Sequence, residues 1–172
     1  VHLNFNHDFL EVPTHNKKLI IRKNLCSDVI IIKLFPGISM NIIESMLNSK
    51  GIKGVILETY GAGNAPNNKN FINLISKAIA KGIYIVNVTQ CVGGSVLQGH
   101  YETSSQLKKI GVIDAKDMTT ESAIAKLMYL LGIGIKRDEF ISYYDLGLNR
   151  DLPMVTREIS ARRQVEGGVV CI

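Results

Sequence analysis

Val29-Ile-Ile-Ile-Lys-Leu34 is apolar except at Lys33, mostly β-branched, and is stopped by Pro36-Gly37. A run of this length without polar alternation marks a strand covered on both faces, and such strands belong to parallel sheets. The residues that follow repeat the theme. Ser39 can cap a helix whose apolar stripe is Ile42, Ile43, Met46 and Leu47, and Gly51 stands where a left-handed turn would end it. Residues 54–59 form a second strand. Asn67 or Asn68 can open a second helix that buries Phe71, Leu74, Ile75, Ala78 and Ile79 and stops at Gly82. Residues 83–88 give a third strand and residues 111–113 a short fourth one. Thr119 or Thr120 then opens a helix with Glu121 set favourably against its dipole and Ile124, Leu127, Met128 and Leu131 on one face. Strands alternating with helices imply right-handed βαβ crossovers. The expected fold is α/β, a small doubly wound parallel sheet of about four strands with helices on both faces.

Working outward, residues 1–24 mix His, Asn, Lys and Pro13 without a sustained period. They read as an extended linker from an absent N-terminal domain, with one short strand at residues 19–21. The chain opens on Val1 with no visible initiator or signal peptide, so the expectation is a fragment. Residues 25–135 carry the α/β domain. Residues 136–172 read as C-terminal helices, near 139–146 and 155–165, with a tail unassigned from Gln164.

With 172 residues, 46% of them hydrophobic, the chain can bury one ordinary core and is not compositionally disordered. No apolar run reaches the roughly 18 residues of a membrane span. Cys26, Cys91 and Cys171 are odd in number and far apart, which fits neither a disulfide framework nor a zinc site and points to a reducing, cytoplasmic compartment. The net charge of +5 comes from scattered Lys and Arg without interleaved aromatics, a solvated basic surface rather than a nucleic-acid footprint.

In a parallel sheet, ligands settle beyond the carboxyl ends of the strands. Two segments lie there. Tyr60-Gly-Ala-Gly-Asn-Ala-Pro66 has two glycines that permit positive φ and close backbone approach, and its N–H groups could hold a carboxylate. It is a poor dinucleotide fingerprint, since Pro66 stands in the third glycine's place. Its plain alternative is a turn that only lets strand and helix pack. Asn87-Val-Thr-Gln-Cys91 offers the Thr89 hydroxyl and the Gln90 amide to a small polar ligand, or simply caps a strand end. Cys91 has no His-Asp pair in its neighbourhood and reads as a small hydrophobe rather than a nucleophile. His2, His7, His15 and His100 have no metal-ligand spacing. Glu58 at a strand end and Glu102 in a loop are read as rim carboxylates, too little for a general acid and base.

Gly54-Val-Ile-Leu-Glu-Thr-Tyr60, the turn at 61–66, Val86-Asn-Val-Thr-Gln-Cys91, Gly99-His-Tyr101 and Gly111-Val-Ile113, in this order, resemble the smaller C-terminal domain of type I L-asparaginases, over about residues 28–132. The resemblance implies that the complete enzyme hydrolyses L-asparagine to L-aspartate and ammonia without metal or organic cofactor. The family's nucleophilic threonine lies in a Thr-Gly-Gly-Thr segment, and a second threonine with an aspartate in a Gly-Thr-Asp segment; neither occurs here. By this resemblance the chain is a completing domain with no catalytic residue of its own, contributing subunit contacts in a homo-oligomer, dimer or tetramer. Gly61, Gly63, Asn64 and Tyr101 would form the substrate-binding rim of a neighbouring subunit's pocket. Thr89 and Cys91 correspond to a second, activating asparagine site in some members. There Glu58 departs from the arginine of the allosteric bacterial form, and an arginine's hold on a carboxylate would become repulsion. The rival from another class is a free-standing regulatory domain that binds an amino acid through the turn at 61–66.

Overall fold

The structure, a computed structural model, describes residues 23–91, 94–96 and 102–145. They divide between two compact units, one of them Asn24–Ile135, the other containing Lys23 and residues 136–145. In the first, four parallel strands, β1 (Val29–Lys33), β2 (Gly54–Thr59), β3 (Tyr84–Thr89) and β4 (Ile113–Asp114), lie in the order β1-β2-β3-β4. Helices α1 (Met40–Leu47), α2 (Lys69–Ala80) and α3 (Glu102–Lys109) fall between successive strands, and α4 (Thr120–Gly132) follows β4. The second unit contributes α5 (Arg137–Asp145), in which the rings of Phe140 and Tyr144 stack at 5.9 Å.

Side chains alternate along a strand, so the register decides what each face carries. Ile32 lies beside Leu57, and Val55 beside Ile85. These four pack in one core with Ile43 and Leu47 of α1 and Phe71, Ile75 and Ala78 of α2. The opposite face carries Gly54, Ile56 and Glu58, and here α4 lies so close that a Cβ on Gly54 would meet Leu127 Cδ2 at 2.9 Å. Helices therefore cover both faces of a parallel sheet, as the alternating pattern of the sequence requires, but β1 is not the doubly covered strand expected: it stands at the sheet edge, where Ile31 and Lys33 are exposed.

Local signals explain the boundaries. The Asn68 side chain accepts from Asn70 N at 2.8 Å and opens α2. Thr119, not Thr120, caps α4, its Oγ1 accepting from Ser122 N at 3.3 Å. Ser39 occupies the N-cap of α1 in extended conformation, without a side-chain cap bond. Gly51 and Gly82 adopt the left-handed conformation after the two helices.

Several expectations shift. The buried side of α4 is Ala123, Leu127 and Leu130, joined by Lys126 and Tyr129, whereas Ile124, Met128 and Leu131 are half-buried. Leu127 and Leu131 of the expected stripe lie against Gly54, whose missing side chain leaves room for them. Ile42 of α1 is 58% exposed. Glu102 opens α3 rather than lying in a loop. That helix has no apolar period, since Leu107 is its one large hydrophobe. The strand expected at 19–21 and the helix at 155–165 lie outside the described residues.

Candidate functional site

The carboxyl ends of β1, β2 and β3 open on the same side of the sheet, and two structures are built there. The first is the turn after β2. Tyr60 N donates to Asn64 O at 2.8 Å, while Gly63 N and Asn64 N donate back to Tyr60 O at 3.0 and 2.8 Å. Closing so tight a loop needs left-handed backbone at Gly61 (φ 47°) and Gly63 (φ 99°), which glycine adopts without steric cost. β3 then grips the turn by its carbonyls. Thr89 Oγ1 donates to Gly61 O at 2.5 Å, and Asn87 Nδ2 donates to Gly63 O at 3.1 Å. Behind Asn87, Thr59 Oγ1 donates to Asn87 Oδ1 at 2.6 Å. Asn64 at the end of the turn accepts from Thr103 Oγ1 of α3 at 3.2 Å.

The second structure is a cavity of about 240 Å³ on the α4 side of the strand ends, with Lys33, Glu58, Thr89, Cys91, Thr120 and Glu121 among its lining. Glu58 is its organising charge, with a side chain only 14% exposed. Its Oε1 accepts from Thr120 Oγ1 at 2.6 Å, and its Oε2 lies 3.5 Å from Lys33 Nζ. Gln90 Nε2 reaches Leu34 O at 2.6 Å and Glu58 O at 2.9 Å, tying the ends of three neighbouring segments together. Thr89 Oγ1 also accepts from Cys91 N at 3.0 Å. The first turn of α4 adds a carboxylate, Glu121. Its own backbone N–H and the Thr119 hydroxyl hold it below the usual carboxyl range. Burial pushes the Tyr60 hydroxyl up.

Gly61, Gly63 and Asn64 thus share one turn, and Thr89 and Cys91 share the cavity with Glu58, where Cys91 is exposed rather than the buried small hydrophobe expected of it. Tyr101 lies outside the described residues. Sequence reasoning gave no site role to Lys33, Thr120, Thr59 or Asn87. Only Asn87 carried a signal, an amide between two valines in a buried strand, since a buried polar group needs a partner. No group of three or more His, Cys, Asp or Glu among the described residues is placed to hold a metal ion.

Residues 28–143 match the Glutaminase/Asparaginase C-terminal domain. The chain belongs to this family. As an asparaginase C-terminal domain it is 39% identical to L-asparaginase 1 of Escherichia coli (strain K12) over 119 residues, which is 69% of this chain and 35% of that protein. The solved structure of L-asparaginase I from Vibrio cholerae superposes with a TM-score of 0.67 at 36% identity, covering 72% of this chain and 37% of that one. Relatives bear other names as well. The 60 kDa lysophospholipase of Mus musculus is 32% identical over 127 residues, 74% of this chain and 22% of that protein. The chain therefore spans about a third or less of the relatives it matches. Among the described residues of this asparaginase C-terminal domain, no helix is long and apolar enough to cross a membrane.

Proposed function

We propose that this chain is the C-terminal domain of an L-asparaginase, acting with an N-terminal domain in the hydrolysis of L-asparagine to L-aspartate and ammonia, and that it is not catalytic alone. The observation that carries the reading is the family match over residues 28–143, with the turn at 60–64 standing at the carboxyl edge of the sheet. The turn, with Tyr101, forms the rim of a pocket whose nucleophile belongs to a neighbouring subunit. The threonine hydroxyls at this edge support that division. Thr59 is engaged with Asn87, Thr89 with Gly61 O and Cys91 N, and Thr103 with Asn64. A nucleophile needs an adjacent base oriented by a third group; Thr59, Thr89 and Thr103 are held instead by structural partners, whereas Thr120 donates to the Glu58 carboxylate, so its substitution belongs beside those of Thr89 and Cys91 in any test of activity by the chain alone. Residues 1–24 are the linker from the N-terminal domain, and residues 136–172 supply C-terminal helices and tail. The protein acts in the cytoplasm without cofactor as a homo-oligomer. Ile31 and Phe35, 42% and 55% exposed, supply apolar surface for subunit contacts.

A second reading, a regulatory domain that binds an amino acid, is favoured by the cavity around Glu58 and Thr89. One experiment tests both. The purified chain is mixed with the separately made N-terminal domain of a type I asparaginase, and ammonia release from asparagine is followed. Release from the mixture and none from the chain alone supports the completing domain. Release at an enzyme-like rate by the chain alone, abolished by a change at Thr89, Cys91 or Thr120, overturns it. Calorimetric binding of an amino acid with no restored activity favours the regulatory domain.

A further inference from the structure

We infer that Asn87, oriented by Thr59, is the positioning residue that sets the shape in which the turn at 60–64 meets substrate. The inference deepens the proposed function and rests on that reading for its catalytic consequence, though not for its structural one.

Asn87 lies fully buried in the middle of β3, on the same face as Leu57. Its two amide atoms have distinct tasks. Nδ2 donates to Gly63 O at 3.1 Å, and Oδ1 accepts from Thr59 Oγ1 at 2.6 Å. Thr59 is itself fully buried at the end of β2. A flipped amide would set its carbonyl oxygen against Gly63 O, two acceptors facing without a proton, so the observed orientation is fixed by its neighbours. The Thr59 hydroxyl is the part that reinforces the orientation from behind.

Close approach matters as much as the bond. A Cβ built on Gly63 would stand 3.1 Å from Asn87 Nδ2 and 2.6 Å from Val96 Cγ1, so the turn rests against the amide with no room for a side chain. The carbonyl of Gly63 is thereby pinned one residue before Asn64, whose side-chain oxygen is met by Thr103. Asn87 itself is a buried residue on the core face of β3, not among those that line the Glu58 cavity. It acts through the turn.

Thr59→Val removes the hydroxyl while keeping the shape, and Asn87→Asp replaces the donor facing Gly63 O with an oxygen. Thr59→Ser keeps the hydroxyl and serves as the rescue. The first measurement is amide hydrogen exchange on this chain. In Thr59→Val and Asn87→Asp, the amides of Gly63 and Asn64, which close the turn on Tyr60 O, should lose about tenfold or more protection. Those of β2 and β3 should keep theirs, and Thr59→Ser should behave as the unaltered chain. The second measurement is asparagine hydrolysis by the chain combined with an N-terminal asparaginase domain. There kcat/KM should fall about tenfold or more with the loss mainly in kcat, because the turn orients substrate rather than merely retaining it.

Unchanged turn exchange in both substituted chains overturns the inference, and so does local loosening of the turn with unaltered kcat/KM. The two variants approach the contact from opposite sides, so one that fails to fold leaves the other to decide. If the unaltered combination releases no ammonia, it is the asparaginase reading that fails. The exchange measurement then still decides whether Asn87 holds the turn.

Discussion

Replacing either glycine of the turn by alanine separates two costs that the sequence alone cannot distinguish. Both residues have positive φ, 47° at Gly61 and 99° at Gly63, and an L side chain in such a conformation costs about 1–2 kcal/mol. Part of this is offset, by about 0.4–1 kcal/mol, because alanine also narrows the unfolded ensemble. There the two positions part. A Cβ on Gly61 would meet nothing within 4 Å, whereas on Gly63 it would lie 2.6 Å from Val96 Cγ1. Forcing a methyl into a filled space costs about 1–3 kcal/mol in shifted neighbours. Gly61→Ala should therefore destabilise by about 1 kcal/mol or less, and Gly63→Ala by about 2–4 kcal/mol. Urea unfolding of the chain measures the difference. With a slope of about 1–3 kcal/mol per molar, the Gly63→Ala midpoint should fall about 0.3–3 M below that of Gly61→Ala at unchanged slope. In a Val96→Ala background, Gly63→Ala should cost less than in the unaltered chain, since the first atom it strikes is gone. Equal midpoints for the two alanine variants, or an unchanged cost in the Val96→Ala background, would refute the packing argument.

Two further outcomes follow from charge. Asparagine should bind this chain weakly or not at all, because the Glu58 carboxylate faces the cavity with Thr120 and Lys33 already on it, and Glu58→Arg should strengthen binding; calorimetry showing tight binding to the unaltered chain, lost in Glu58→Arg, would contradict this. The carboxyl of Asp28, 2.7 Å from Lys53 Nζ, is held below its ordinary value by the hydrogen bond and then by the charge of that lysine. A carboxyl with a depressed folded pKa lends stability that is present above its unfolded pKa and is lost as pH falls through the folded one. Titration of the Asp28 carboxyl by NMR should therefore show a low midpoint that rises in Lys53→Met, and an unmoved midpoint would count against the pairing.

The parts of the fold legible in the sequence were those with a single dominant cause. β2 is covered on both faces, so burial left an unbroken apolar record in Val55-Ile-Leu, whereas β1 stands at the sheet edge with Ile31 42% exposed, and its apolar run Val29-Ile-Ile-Ile marked a strand without marking two buried faces. α2 was legible because its cap and its stripe agree, Asn68 opening it and Phe71, Ile75 and Ala78 buried along it. α3 was not, because a helix with one buried leucine and a buried serine has no period to read. α4 was placed correctly but rotated. Its buried face is chosen by how closely Leu127 and Leu131 can approach Gly54, a property of two elements rather than of either. The turn glycines were visible for the same reason that they are needed, since positive φ leaves a compositional trace. Lys33 and Thr120 left none. They meet Glu58 only because β1 lies beside β2 and the N-terminus of α4 stands over the same face.

The alternation of the strand also explains how a turn and a charged cavity can share one sheet edge without interfering. Glu58 and Thr59 are consecutive, so they point to opposite faces. Glu58 goes to the α4 side and gathers Lys33 and Thr120, while Thr59 goes to the core side and steadies Asn87. The charge of the cavity can therefore be altered at Glu58 without touching the hydrogen bonds that hold the turn. The turn can likewise be loosened from Thr59 without changing the charge of the cavity. Thr89, at the very end of β3, belongs to both. Its hydroxyl donates to Gly61 O in the turn and accepts from Cys91 N, and the residue lines the cavity. A ligand acceptor that takes the proton of that hydroxyl must do so at the expense of the Gly61 contact, because a hydroxyl has a single proton to donate. Occupation of the cavity can reach the turn directly through that one atom, with no shift of the strands required.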